Sequence, residues 1–130
     1  MLIDEKLLDR VTAEAQASPR LRMNYNFHET LDAPSQRLLN ALEPGTVLPI
    51  HRHTHTAETY IVLRGRLNVD FYNADRQVTA HYELDPTKGA YGVNIPRGQW
   101  HTIEVLCSGT VIFEVKDGPY TPLAPGDILE

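Results

Sequence analysis

The chain has 130 residues, 42% hydrophobic and 22% charged, with 9 prolines and 8 glycines, which is the composition of one globular domain large enough to bury its own core. Lysine and arginine number 12 against 17 acids, a net charge of −5, and only Arg20 and Arg22 sit close together, so no nucleic acid and no anionic membrane is expected as a partner. The single cysteine, Cys107, excludes an internal disulfide and a multi-cysteine zinc site, and it reads as a small core hydrophobe.

The segment Met1-Leu-Ile-Asp-Glu-Lys places charges where a signal peptide needs its apolar stretch, and no run approaches the roughly 18–20 apolar residues of a membrane span. A cytoplasmic protein is therefore expected. Residues 1–19 are predicted as an N-terminal helix. Ile3, Leu7, Val11 and Ala15 recur every fourth position with Leu8 beside them, and Ser18-Pro19 ends the pattern. A helix this short is marginal alone, so it packs on the domain or on a second copy.

From residue 20 the period changes to two. Leu21, Met23, Tyr25 and Phe27 alternate with Arg22, Asn24, Asn26 and His28, the pattern of a half-buried strand. Further strands are expected at 36–42, 58–64, 66–72, 77–84, 90–95, 99–106 and 110–116, each bounded by glycine, proline or Asx turn signals. Alternation assigns three inward sets: Leu67, Val69 and Phe71; Val78, Ala80, Tyr82 and Leu84; Val111, Phe113 and Val115. Residues 119–130 are too rich in proline for a central strand and read as an arm over the barrel. The expected fold is all-β: residues 20–118 form an antiparallel barrel or sandwich that makes a single domain with the helix and the arm.

Three of the six histidines fall within five residues: His51, His53 and His55. In a strand, His51 and His53 project from one face, Glu58 follows closely enough to return a carboxylate, and His101 arrives from a distant strand after the Pro96-Arg-Gly98 turn. Three imidazoles and one carboxylate suit iron, manganese, nickel, copper or zinc, and four protein ligands in an octahedral shell leave two positions open for chemistry.

These residues also carry a family resemblance. Gly45, His51-Arg-His53, Glu58 and Gly65 match the first cupin motif at its spacing, which this composition would produce by chance about once in ten thousand such chains. Pro96-Arg-Gly98-Gln-Trp-His101 resembles the second. There, Gly89 stands seven residues before Pro96 where the motif has six, and Val105 replaces the motif's final asparagine. The segments from Ser18 to His28, Gln36 to Asn40, Glu43-Pro-Gly45, Val62 to Arg66 and Gly118-Pro-Tyr120 are similar to the WbuC-type cupin metalloproteins, which are associated with surface polysaccharide gene clusters. The resemblance implies a cupin jelly-roll metalloprotein, and with it a homodimer, a partnership also suggested by the need of the helix and the arm for somewhere to dock.

Other residues keep two readings. His55 either backs the ligands or meets solvent. Arg22, Asn24, Asn26 and His28 form either a solvated face or the wall of a pocket where amides bind hydroxyls and Arg22 an anion. Tyr91 and Trp100 are either core or stacking surfaces for a sugar ring or base. His81 and Glu104 are expected to point outward, and Arg64 and Arg66 to pair with acids. The expected function is a metal-dependent enzyme, an isomerase or epimerase, on a sugar or sugar-nucleotide intermediate of bacterial surface polysaccharide (O-antigen) synthesis, with His55 or His28 as base. The alternatives are a non-catalytic metal- or saccharide-binding regulator and an Fe(II) dioxygenase on a small organic molecule.

Overall fold

A computed structural model describes residues 1–130. The chain opens with helix α1, Glu5–Ala17, whose N-cap Asp4 accepts a hydrogen bond from the Leu7 amide at 3.1 Å. That cap leaves Ile3 outside the helix and 46% exposed, so Leu7, Leu8, Val11, Thr12 and Ala15 make the buried stripe. Ten strands follow: β1 (Arg22–Asn26), β2 (Ser35–Leu42), β3 (Ile50–His51), β4 (Glu58–Arg64), β5 (Leu67–Tyr72), β6 (Val78–Leu84), β7 (Gly92–Ile95), β8 (Trp100–Val105), β9 (Thr110–Asp117) and β10 (Ile128–Leu129). They form two five-stranded antiparallel sheets, ordered β1-β2-β9-β4-β7 and β10-β3-β8-β5-β6, facing each other as a jelly-roll barrel.

Two cores hold this arrangement. Between the sheets lie Leu42, Tyr60, Val62 and Ile112 on one side and Leu67, Val69, Leu84, Ile103 and Val105 on the other. Outside the first sheet, Leu7, Leu8, Val11 and Ala15 of the helix meet Leu39, Ala41 and Val111, flanked by Met23, Tyr25, Phe27 and Phe113. Each large aliphatic side chain buried this way contributes about 1.5–3 kcal/mol, enough to hold a helix that would not persist alone. Arg64 fastens the same helix, donating to Glu5 at 2.8 Å, Asp9 at 2.7 Å and Thr12 at 3.0 Å.

The helix corrects one sequence expectation. Because it covers the outer face of β9, Val111 and Phe113 point toward it and Val115 is 39% exposed. The opposite set, Ile112, Glu114 and Lys116, faces the barrel interior, starting from Ile112 in the inter-sheet core. In β6 the inward face holds for Ala80, Tyr82 and Leu84, though the sheet edge leaves Tyr82 43% exposed, but a bulge sets Val78 opposite Tyr72 on the outward side, where it is 56% exposed.

β10 has no counterpart in the sequence reading, and β3 is shorter than the strand expected to carry both His51 and His53, since it ends at His51. β10 belongs to the segment read as an arm, which crosses from one sheet to pair Ile128 with His51 in the other. Helix and arm thus both dock on their own chain, so neither needs a second copy to cover it.

Two glycines are demanded by the backbone. Gly65, between β4 and β5, has φ +85°, and a Cβ there would lie 2.3 Å from Thr110 Oγ1. Gly89, at φ +80°, ends a single 3₁₀ turn at Pro86–Lys88. The helix is neither long nor apolar enough to cross a membrane.

Candidate metal centre

The two motifs meet at one end of the barrel. His51 closes β3 and pairs directly with His101 of β8, their ring centroids 4.3 Å apart. His53 lies beyond the strand in the β3–β4 loop, yet its ring is 5.3 Å from that of His51 and 6.1 Å from that of His101. The loop is pinned on both sides: the Gly98 amide donates to the His53 carbonyl at 2.8 Å, and the Arg52 amide donates to the Asp127 carbonyl at 3.0 Å. Ligand nitrogens of the three histidines lie within 4.8 Å of one another, a cluster that can hold a metal ion.

Glu58 comes from the opposite sheet. Its Oε1 lies 2.7 Å from His53 Nε2 and 3.9 Å from His101 Nε2. His101 is fully buried, Glu58 is 3% exposed and His51 is 7% exposed. His53 is the open member, with 22% of its side chain exposed.

Hydrogen bonds orient two of the rings. His51 Nδ1 lies 2.9 Å from the Pro49 carbonyl and His101 Nδ1 lies 2.9 Å from the Gln99 carbonyl. A carbonyl only accepts, so each Nδ1 carries the proton and each Nε2 presents its lone pair to the cluster. Buried His101 Nε2 has no hydrogen-bond partner, and buried Glu58 Oε1 has only the poorly directed approach of His53 Nε2 at 2.7 Å. Orphaned buried polar atoms cost about 1–3 kcal/mol each, and a cation between them satisfies them together.

The electrostatics suit ligation as well. Burial, with the neighbouring His101, lowers the His51 imidazole to about 4, and burial lowers His101, so both rings stay neutral. Burial pushes the Glu58 carboxyl up, but His53 and His101 outweigh it and hold it below the usual carboxylate range. Neutral imidazoles with an ionised carboxylate are the protonation states a divalent transition metal needs, and the donor set fits one.

The interior also holds groups that strand alternation missed. Tyr60 of β4 pairs with Glu114 of β9, and Glu58 with Lys116. Burial and the Glu58 charge push the Glu114 carboxyl up to about 7 against the Asn40 amide, which donates to it at 2.9 Å. Burial raises the Tyr60 hydroxyl well above its ordinary range, with Glu58 and Glu114 adding to the effect. Sequence alternation favours the opposite parity as the core face of β9, which leaves Glu114 and Lys116 outside the candidate set.

The remaining sequence candidates are scattered. His55 is exposed and lines a cavity that also reaches His53. His28 is buried, its Nδ1 3.2 Å from the Arg37 amide, beside a different surface cavity that shares no residue with the first. Asn24 and Asn26 are exposed on the edge strand β1. Arg22 pairs with Leu42, next to Thr110, whereas Glu58 pairs with Lys116, so six residues of β9 separate them, about 20 Å. Tyr91 is 60% exposed. Trp100 is buried under the Arg52 guanidinium at 4.4 Å; because its neighbour His101 points inward, it faces the outside of the sheet. Glu104 is exposed, and His81 is exposed and meets Asp70 on the surface.

The architecture recurs in solved structures. The capsular polysaccharide assembling protein CapF from Staphylococcus aureus aligns with a TM-score of 0.63 and 24% identity over 76% of this chain and 27% of its own. KdgF from Halomonas sp. aligns at 0.62 and 15% identity, covering 80% and 84% respectively. The cupin domain of Cnp3 from Schizosaccharomyces pombe aligns at 0.59 and 10% identity, covering 74% and 64%. The chain thus spans about a quarter of the length of CapF and most of the length of KdgF. No curated protein sequence matches it. The barrel has the cupin fold, and with residues 3–84 matching its pattern, the chain belongs to the family described as a domain of unknown function (DUF6016).

Proposed function

We propose that His51, His53, Glu58 and His101 bind one divalent transition metal (iron, manganese, nickel or zinc) and that the chain is a metal-dependent enzyme acting on a sugar or sugar-nucleotide intermediate of bacterial surface polysaccharide synthesis. The observation that carries the metal assignment is the convergence of two carbonyl-oriented Nε2 lone pairs with the buried Glu58 carboxylate. The sugar assignment draws on the resemblance to WbuC-type cupins and on the likeness in fold to CapF, a capsular polysaccharide assembling protein. When bound, such a metal polarises a carbonyl or hydroxyl, or activates water or dioxygen.

The chain's own residues supply the setting. His51, His101 and Glu58 are shut away from water, while the edge of His53 opens to the cavity that a substrate enters. Glu114 holds a proton near neutral pH inside the barrel, in the row next to Glu58, and is better placed than His28 as a proton-handling group.

The test is elemental analysis by mass spectrometry on tag-free protein purified without chelator, beside a His101→Ala variant. Near-stoichiometric metal in the parent and none in the variant is expected. Zinc, manganese or nickel directs assays to isomerisation of sugar derivatives, and iron directs them to oxygen uptake. Parent occupancy no higher than the variant's overturns the metal assignment and leaves a saccharide-binding module.

A further inference from the structure

Where the β3–β4 loop faces the C-terminal segment, a cavity of about 270 Å³ opens. Its walls include Arg52, His53, His55, Lys116, Tyr120 and Asp127. His53 is the one candidate ligand with an open edge, so a molecule approaching the cluster meets this space first. Ligand pockets for drug-sized molecules begin at about 300 Å³, which scales this one to a single sugar ring and its substituent rather than a nucleotide sugar.

The charges on its walls are unequally engaged. Arg52 is already taken, through Asp127 at 3.4 Å and the Trp100 ring at 4.4 Å. Lys116 is different. It points to the interior beside Glu58, is half-buried, and has no carboxylate within salt-bridge distance; its Nζ lies 5.8 Å from the Tyr120 ring centroid. Glu58 and Glu114 share the field of this ammonium but neither pairs with it directly, and a half-buried cation with no direct ion pair, in a space that leads to a cation-binding cluster, can take an anionic ligand group. Tyr120 offers an aromatic face to a ring, and His55 a further polar contact at the rim.

We propose that this cavity is the substrate site of the centre and that it takes a monosaccharide bearing one anionic group, a phosphate or a carboxylate, which pairs with Lys116. The proposal rests on the reading of the cluster as a metal centre for sugar chemistry and narrows it to small acidic sugars.

Calorimetric titration tests it, using glucose 1-phosphate, glucuronate and glucose as probes and measuring the metal content of every preparation by mass spectrometry. At least one of the two acids is expected to bind, and glucose to bind at least tenfold more weakly. Lys116→Gln weakens the acid about tenfold or more, as loss of a charged hydrogen bond does, and Lys116→Arg restores most of the affinity. Lys88→Gln, at a remote exposed lysine, leaves it unchanged. Preference for phosphate or for carboxylate identifies the anion. Equal affinity in the parent and Lys116→Gln overturns the proposal, as does the absence of binding by either acid to metal-loaded protein, and both results leave the metal centre intact. Lys116-dependent binding by protein that takes up no metal supports the cavity and overturns the metal centre instead.

Discussion

Asn40 donates a hydrogen bond to Glu114 at 2.9 Å inside the barrel, the one polar contact holding a carboxyl that Glu58 and burial both drive toward its neutral form. The Asn40 Oδ1 atom is itself buried without a partner. This polar pair between two apolar clusters weighs on stability, and the cost depends on pH.

An unfolded Glu114 titrates near its ordinary value of 4.5, and the folded one near about 7. Below the lower value both states carry the proton and no penalty arises. Between the two, the unfolded chain releases its proton and the folded chain does not, so stability falls as pH rises. Above about 7 the loss is complete, on the order of 3 kcal/mol. Glu114→Gln keeps the acceptor for Asn40 without the charge. Thermal denaturation in chelator is expected to show equal midpoints near pH 4.5 and a variant about 10 °C more stable at pH 8. Parallel pH profiles for the two proteins would sink this account.

Ligand variants separate metal binding from folding. With free metal at a hundredfold excess over its dissociation constant, the parent gains about 2.7 kcal/mol, a rise of roughly 8–10 °C in the thermal midpoint. His51→Ala and His101→Ala lose that increment, because each removes one of the two carbonyl-oriented nitrogens. Trp100→Phe, on the outer face, keeps it in full. A Trp100 variant that loses metal as the histidine variants do would move the site toward the outside of the sheet.

The grouping of the four candidate ligands was legible because the cupin motifs place them at fixed intervals, and their side chains still converge even where His53 leaves the strand. Trp100 had core and stacking readings in the sequence; its outward place follows once His101 is known to point inward. The inward placement of Glu114 and Lys116 was not legible. Strand β9 buries apolar side chains on both faces, Val111 and Phe113 under the helix and Ile112 in the barrel, so alternation alone does not tell which face is the interior. Nothing local announces that the helix covers this strand; Arg64 reaching Glu5 and Asp9 shows it, across more than fifty residues.

Gly65→Ala tests the tight passage from β4 to β5. The substitution forces an L-residue to φ +85° and sets its Cβ 2.6 Å from Thr110 Cα, where backbone rather than a flexible side chain must yield. A loss of about 2–4 kcal/mol is expected by chemical denaturation. Metal affinity of the fraction that remains folded should be unaltered, since Gly65 lies at the far end of β4 from Glu58.

Glu43 ties the helix to the β8–β9 turn. Its carboxylate accepts from Ser108 at 2.6 Å, the Gly109 amide at 2.7 Å and Gln16 at 3.1 Å. Burial pushes this carboxyl up, but the Ser108, Gly109 and Gln16 donors prevail and hold it below its ordinary value. Glu43→Ala leaves the half-buried Gly109 amide without its acceptor, at about 1 kcal/mol. Glu43→Gln keeps an acceptor oxygen but replaces the other with an amide that faces donors, and it is expected to fall between. Because the contact joins α1 to the turn, hydrogen exchange should quicken first in Leu7–Ala15 and at Gly109, before the inter-sheet core opens. Uniform acceleration across both sheets would mean that the helix and barrel unfold as one unit and that Glu43 fastens nothing by itself.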